Sequence, residues 1–294
     1  MIMHKRVYIV LAVGLVILAG LIAWQGLRQQ EPVYGGKTLT LWLRTYAPSA
    51  SFRLHSPEWN AADDAVRHMG TNCFPILLRL IRQKDSPAKL WLVAFAQKHG
   101  MTKRIHFVPA AARNVAASRA FIALGNMAKD AVPALVRMYD ENITTESRSA
   151  IEDALAWIGP AAKPAIPLLV RGTTNANPRV RANALWALGE IHAEPEVCVR
   201  CLIQALNDSD DWARLSAAHA LGMFGTDAKS AVPALTEMTN VSNIFNGGFV
   251  TTRLQVMAEA RNALDKINSR IDEAHDEDFP NYGIPGLDSL TSPR

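Results

Sequence analysis

Arg214–Leu235 reads RLSAAHALGMFGTDAKSAVPAL. Its last five letters occur elsewhere in the chain: Ala131-Val132-Pro133-Ala134-Leu135 returns unchanged as Ala231-Val232-Pro233-Ala234-Leu235. The copies lie 100 residues apart, three periods of about 33. Self-similarity at a fixed period of roughly 20–50 residues marks a stacked-repeat architecture. Intermediate copies align when Gly125, Gly159, His192 and Gly225 are taken as a zero column, with steps of 34, 33 and 33. Five residues before that column stand Ala120, Ala154, Ala187 and Ala220, and four before stand Phe121, Leu155, Leu188 and Leu221. Leu124, Ile158, Ile191 and Phe224 come one before, and Leu135, Leu169, Leu202 and Leu235 ten after. A degenerate first copy surrounds Gly70, with Ala62, Ala65, Val66 and Met69. A last half copy holds Ala260, Ala263, Leu264 and Ile267.

Apolar residues at offsets −8, −5, −4 and −1 follow the i, i+3, i+4, i+7 rule of an amphipathic helix. Alanine at two of these offsets lets neighbouring helices approach closely. A glycine turn follows, then a proline at the start of a second helix, where its missing N–H costs little. Each unit is thus a helical hairpin that cannot cover its own apolar faces, and stacking covers them. The expected fold is all-α: an α-solenoid of about five to six helical hairpins over residues 58–268, with insertions near 84–112 and 239–250. The first insertion carries Leu90-Trp91-Leu92-Val93-Ala94-Phe95, read as an extra helix.

These columns resemble the HEAT-repeat family in its short form, whose signature R-x-x-A-x-x-A-L-G…A-V-P-A-L is matched best by Arg214–Leu235 and next by Arg181–Leu202. The resemblance implies an armadillo/HEAT-type superhelix that serves as a protein-interaction scaffold, with a concave surface lined by the second helices. Repeats of this short form also occur in phycobilin lyases. Tyr34-Gly35-Gly36-Lys37 with Trp42-Leu43 further resembles the stalk of membrane-anchored bacterial HEAT-repeat proteins.

Of the 294 residues, 49% are hydrophobic and 20% charged, which excludes a disordered chain. Three cysteines exclude a disulfide-stapled scaffold. The net charge of +4 includes Lys5 and Arg6, so no nucleic-acid partner is expected. Val7–Trp24 is an uncharged apolar run of eighteen residues, near the lower limit of a bilayer-spanning helix. The sequence therefore reads as a cytoplasmic N-terminus (1–6), a transmembrane signal anchor (7–24), a juxtamembrane linker (25–57), the solenoid, and an acidic tail (269–294). In the linker, Leu39, Leu41, Trp42 and Leu43 would dock a short helix on the solenoid. A cleaved signal competes with the anchor. The expected localisation is single-pass membrane, with the repeat domain exported.

Cys198-Val-Arg-Cys201 is a lone CxxC. Redox or zinc chemistry competes with packing there, and packing is favoured because other copies hold alanine at the same offsets (Ala131 and Ala134, Ala231 and Ala234). Arg148, Arg181 and Arg214 form a ladder eleven before the zero column. It is read as holding inter-repeat turns through Asn177 and Asp210, against the rival reading of an acidic-partner grip. His192 replaces a turn glycine. No His-Glu dipeptide occurs, and neither do nucleotide-binding, zinc-protease or nucleophile-elbow motifs. No cofactor or metal is expected. Two surfaces remain for a protein partner. Twelve after the zero column, Arg137, Arg171, Gln204 and Glu237 change chemistry while core columns stay fixed. The first insertion sets Lys84, Lys89, Lys98, Lys103, Arg104 and Arg113 against Asp85 alone, which suits an acidic partner, anionic lipid or plain solvation. The reading is a non-enzymatic membrane-anchored scaffold. A small-molecule-handling protein like the lyases and a lipid-surface structural protein are the alternatives.

Overall fold

The computed structural model of the chain describes residues 31–46, 56–99, 108–141, 144–239 and 250–269. The repeat columns become helices with defined starts. Side chains of Ser56, Thr144, Asn177 and Asp210 accept hydrogen bonds from the N–H groups of Trp59, Ser147, Arg179 and Ala213. Each thereby satisfies a donor that a helix leaves open in its first turn.

An antiparallel hairpin, β1 (Val33–Tyr34) and β2 (Lys37–Thr38), leads the described residues. Its turn is Gly35-Gly36, with φ of 56° and 74°, the positive pair that a two-residue turn needs. Helix α1 (Leu39–Leu43) follows and buries Leu39 and Leu43, leaving Leu41 exposed. Five helical hairpins come next. They are α2 (Pro57–Met69) with α3 (Phe74–Ile81), α5 (Ala110–Leu124) with α6 (Val132–Asp140), and α7 (Thr145–Ile158) with α8 (Ile166–Gly172). The fourth and fifth are α9 (Pro178–Ile191) with α10 (Pro195–Ala205), and α11 (Asp211–Phe224) with α12 (Val232–Met238). The single helix α13 (Val250–Asn268) closes the array, and α4 (Pro87–Lys98) lies in the first insertion. Among the described residues the array is the helical solenoid read from the repeat, and the β1–β2 hairpin ahead of it is an addition to the all-α reading.

First helices stack on first helices: α5 on α7, α7 on α9, α9 on α11 and α11 on α13. Each of the later second helices rests on the first helix of the next hairpin, as α8 does on α9 and α12 on α13. The columns at −8, −5, −4 and −1 are all buried in α5, α7, α9 and α11. Three before the zero column, the stack is tightest. A Cβ at Gly189 would stand 2.7 Å from both Cα and Cβ of Ala220, and one at Gly222 would stand 3.2 Å from Ala263 Cα.

The zero-column glycines Gly70, Gly125, Gly159 and Gly225 have φ of 55°, 46°, 71° and 49°. Gly125, Gly159 and Gly225 have ψ near −130° to −142°, a region open to glycine alone, and each starts a short 3-10 turn. His192 cannot enter that region. It takes the left-handed helical conformation (φ 46°, ψ 49°), Glu194 does the same, and α10 then starts without a 3-10 turn.

The expected membrane topology is corrected. Among the described residues no helix is long and apolar enough to cross a membrane, so the single-pass localisation with an exported repeat domain is not supported. Segment 7–24, on which that reading rested, lies outside the described residues, as do Lys103, Arg104 and the acidic tail from 270 onward. Residues 31–46 pack on the first hairpin, with the short helix docked through Leu39 and Leu43 as read, Leu41 excepted. Trp42 Nε1 donates to Tyr34 O at 3.1 Å, the Tyr34 ring stacks on His68 at 4.5 Å, and the buried Tyr46 hydroxyl donates to Asp63.

Candidate functional site

One face of the first helices carries offsets −2, −6 and −9, which follow one another at helical spacing. The −6 column holds Arg119, Asp153, Trp186 and His219, each half-buried between columns of buried alanine and leucine. From α7 to α13 the contacts along this face obey one register. A residue at −2 meets −6 of the next hairpin, and that −6 residue meets −9 of the hairpin after it.

At the C-terminal end of this stripe, His219 Nδ1 lies 2.9 Å from Glu259 Oε1, and its Nε2 lies 3.8 Å from Glu190 Oε1. One imidazole thus ties α9, α11 and α13 together. The two carboxylates, Glu190 then Glu259, hold His219 protonated up to about 9, against the opposing pull of burial. One step back, Trp157 and Trp186 meet edge to face at 5.0 Å. Further back, Asn183 Nδ2 donates to Asp153 Oδ1 at 3.2 Å. Burial raises the Asp153 carboxyl to about 7, although Arg179 and Arg119 oppose the shift. Arg119 Nη1 donates to Tyr46 O at 2.9 Å, and its guanidinium sits 5.2 Å from the Trp59 ring. Burial in turn lowers the Arg119 pKa, with Asp153 opposing. The stripe therefore runs from Tyr46 and Trp59 through Arg119, Asp153 and the two tryptophans to the His219 cluster.

Arg137, Arg171, Gln204 and Glu237 are all exposed on their second helices. Arg171 Nη2 reaches Asp140 at 2.7 Å, joining α8 to the end of α6. The basic insertion divides. Lys89 Nζ and Arg113 Nη2 lie 2.9 and 3.2 Å from Asp85 Oδ1, whereas Lys84 and Lys98 are exposed at either end of the α4 region.

Two of the three ladder arginines, Arg181 and Arg214, hold turns as read, by different partners, whereas the Arg148 guanidinium lies 5.8 Å from the Tyr139 ring. Arg181 forms a two-bond ion pair with Asp208 (2.6 and 2.7 Å) and donates to Asn175 O. Arg214 donates to Asp208 O and pairs with Asp211. Asn177 and Asp210, the expected partners, are the helix caps. The ladder position in α5 is Asn114, whose Nδ2 donates to the carbonyls of Leu80 and Ile81 at 2.7 and 2.8 Å. Cys198 and Cys201 are free thiols. Cys198 donates to Ala193 O at 3.2 Å, burial pushes its pKa up to about 12, and burial raises Cys201 also. Thiols so disfavoured as thiolates are poor nucleophiles and poor metal ligands. Among the described residues, no group of His, Cys, Asp or Glu is arranged to hold a metal ion.

An alanine-bearing first helix, capped by a side chain in four of the five hairpins, a positive-φ turn and a proline-led second helix define the unit. Residues 166–243 match the family model for HEAT repeats. No curated protein matches the chain. Solved structures similar to it include a designed armadillo repeat protein in complex with the peptide (KR)4, at 16% identity over 79% of this chain and 100% of that one, TM-score 0.42. An engineered protein is similar at 18% identity over 78% and 96%, TM-score 0.39. The complex of CpcE and CpcF of phycocyanin lyase from Nostoc sp. PCC7120 is similar at 18% identity over 80% and 97%, TM-score 0.31. These scores are too low to carry an activity or a ligand across to this helical array.

The stripe escaped the sequence reading, which had turned to the second helices. Its signal was available in the −6 column, which changes from arginine to aspartate, tryptophan and histidine beside invariant alanine.

Proposed function

We propose that this chain is a non-enzymatic HEAT-repeat scaffold that binds another protein along the first-helix stripe. One observation carries the reading: Arg119, Asp153, Trp186 and His219 occupy one column of the most closely stacked layer and are held half-buried by contacts between hairpins. Side chains fixed in this way lose little freedom when a partner settles on them. Tryptophan and arginine are the residue types that dominate binding at protein interfaces. Asp153 supports the reading from the side of stability, since its burial disfavours the charge that a partner's cation would stabilise. The exposed column Arg137, Arg171, Gln204 and Glu237 forms the second candidate face.

Purification of the tagged full-length chain from its own cells, followed by native mass spectrometry and an absorbance scan, tests the proposal. A stoichiometric second polypeptide, lost with Trp186→Ala and retained with Arg137→Glu, is the expected result. A retained small molecule or metal with no polypeptide would overturn it.

A further inference from the structure

The first insertion holds apolar side chains that the array leaves uncovered. On α4, Trp91, Leu92, Leu90 and Phe95 are 66%, 58%, 49% and 42% exposed, while Lys89, Val93 and Ala96 are the less exposed positions. At about 100° per residue, Leu90, Ala94, Trp91, Phe95, Ala88 and Leu92 succeed one another around an arc of roughly 200° opposite that inner edge, and Lys98, the last residue of α4, closes the same arc at its C-terminal end. Trp91 and Phe95 stack at 5.5 Å along its crest, one turn apart.

The charge around this crest is one-sided. Asp85, the acid of the segment, is engaged by Lys89, Arg113 and the backbone N–H of Ala110 (2.7 Å). Lys84 and Lys98 stand exposed before and at the end of α4, with no ion-pair partner among the described residues.

We propose that α4 is a docking helix whose occupant is a protein presenting an apolar groove with carboxylates on its rim. A groove grips both flanks of a helix, and an apolar arc of about 200° calls for cover on both flanks. A flat lipid surface meets the crest alone and leaves the flanks of the arc uncovered. A second copy would bring lysine against lysine. Trp91 and Phe95 are the anchors, and Lys84 and Lys98 select the acidic rim. The inference rests on the scaffold reading in that the occupant is a protein.

The test places a photo-cross-linking benzoylphenylalanine at Ala94 of the full chain, in extract of the cells that make it. The cross-linking background is then compared with Trp91→Ala/Phe95→Ala and with Lys84→Glu/Lys98→Glu. The expected result is one cross-linked polypeptide whose yield falls at least tenfold in both double variants. The linked peptide should mix apolar residues with Asp or Glu, and melting by circular dichroism should be unchanged. Equal yield in both variants, or a cross-link to a second copy, would overturn the proposal. So would Trp91-dependent binding to phosphatidylserine vesicles with no protein cross-link. A polypeptide captured through Trp186 while position 94 stays silent would remove the α4 site and leave the scaffold reading standing. No polypeptide at either face would remove both.

Discussion

At the residue scale, two titratable groups on the stripe pull stability in known directions. His219 has its folded pKa raised to about 9 by Glu190 and Glu259. A histidine raised above its unfolded value adds stability that is complete below about pH 6.5 and is lost as pH climbs through about 9. The contribution is on the order of 2 kcal/mol, allowing for partial exposure. The melting temperature is therefore expected to fall between pH 6.5 and 10, and His219→Phe should flatten that profile. Asp153 acts in the opposite sense from an ordinary paired carboxylate. Its folded pKa of about 7 exceeds the unfolded value, so its ionisation costs stability in full above pH 7. Asp153→Asn keeps an acceptor for Asn183 and is expected to raise the melting temperature at pH 8 while weakening partner binding. A fall in both would remove aspartate's assigned role.

At the scale of elements, close stacking of first helices sets which substitutions are tolerated. Alanine is a better helix former than glycine by about 1 kcal/mol. Gly189→Ala should nonetheless destabilise by about 1–3 kcal/mol, because its Cβ would meet Ala220 backbone at 2.7 Å and overpacking forces a helix shift. Gly222→Ala, at 3.2 Å from Ala263, should cost less. Urea unfolding of both variants checks that order. The arginines make a second contrast. Arg181 and Asp208 are 13% and 10% exposed in their side chains, Arg171 and Asp140 are 66% and 59% exposed. Arg181→Ala should cost about 3 kcal/mol by taking both ion-pair bonds from Asp208, which keeps the Asp210 N–H. Arg171→Ala should cost under about 0.5 kcal/mol. Much of this scale was legible in advance: the buried columns, the turn glycines, the cysteines as small packing residues. The caps at Asn177 and Asp210 were mistaken for arginine partners because both roles use the same polar residue types near a helix start. Only the backbone path shows which oxygen faces which donor.

At the scale of the whole molecule, an array in which hairpins contact their neighbours unfolds unevenly. Amide exchange is expected to be slowest in α7, α9 and α11, each stacked on both sides, and fastest in α4. Uniform protection along the chain would contradict that picture. The sequence by itself determined the repeat, its period of about 33, the hairpin unit and the core, because burial in a stacked array recurs at fixed positions and is therefore one-dimensional information. It did not settle the relation of the chain to a membrane, where an apolar run alone led to a topology that the described helices do not support. Tertiary structure alone decided the stripe. Glu190, His219 and Glu259, or Asp153 and Asn183, come from different hairpins, about 30–40 residues apart. They meet only because successive first helices stack in a register that sets offset −2 beside −6 and −6 beside −9. That register follows from how closely glycine and alanine let two helices approach, a distance that no single hairpin contains.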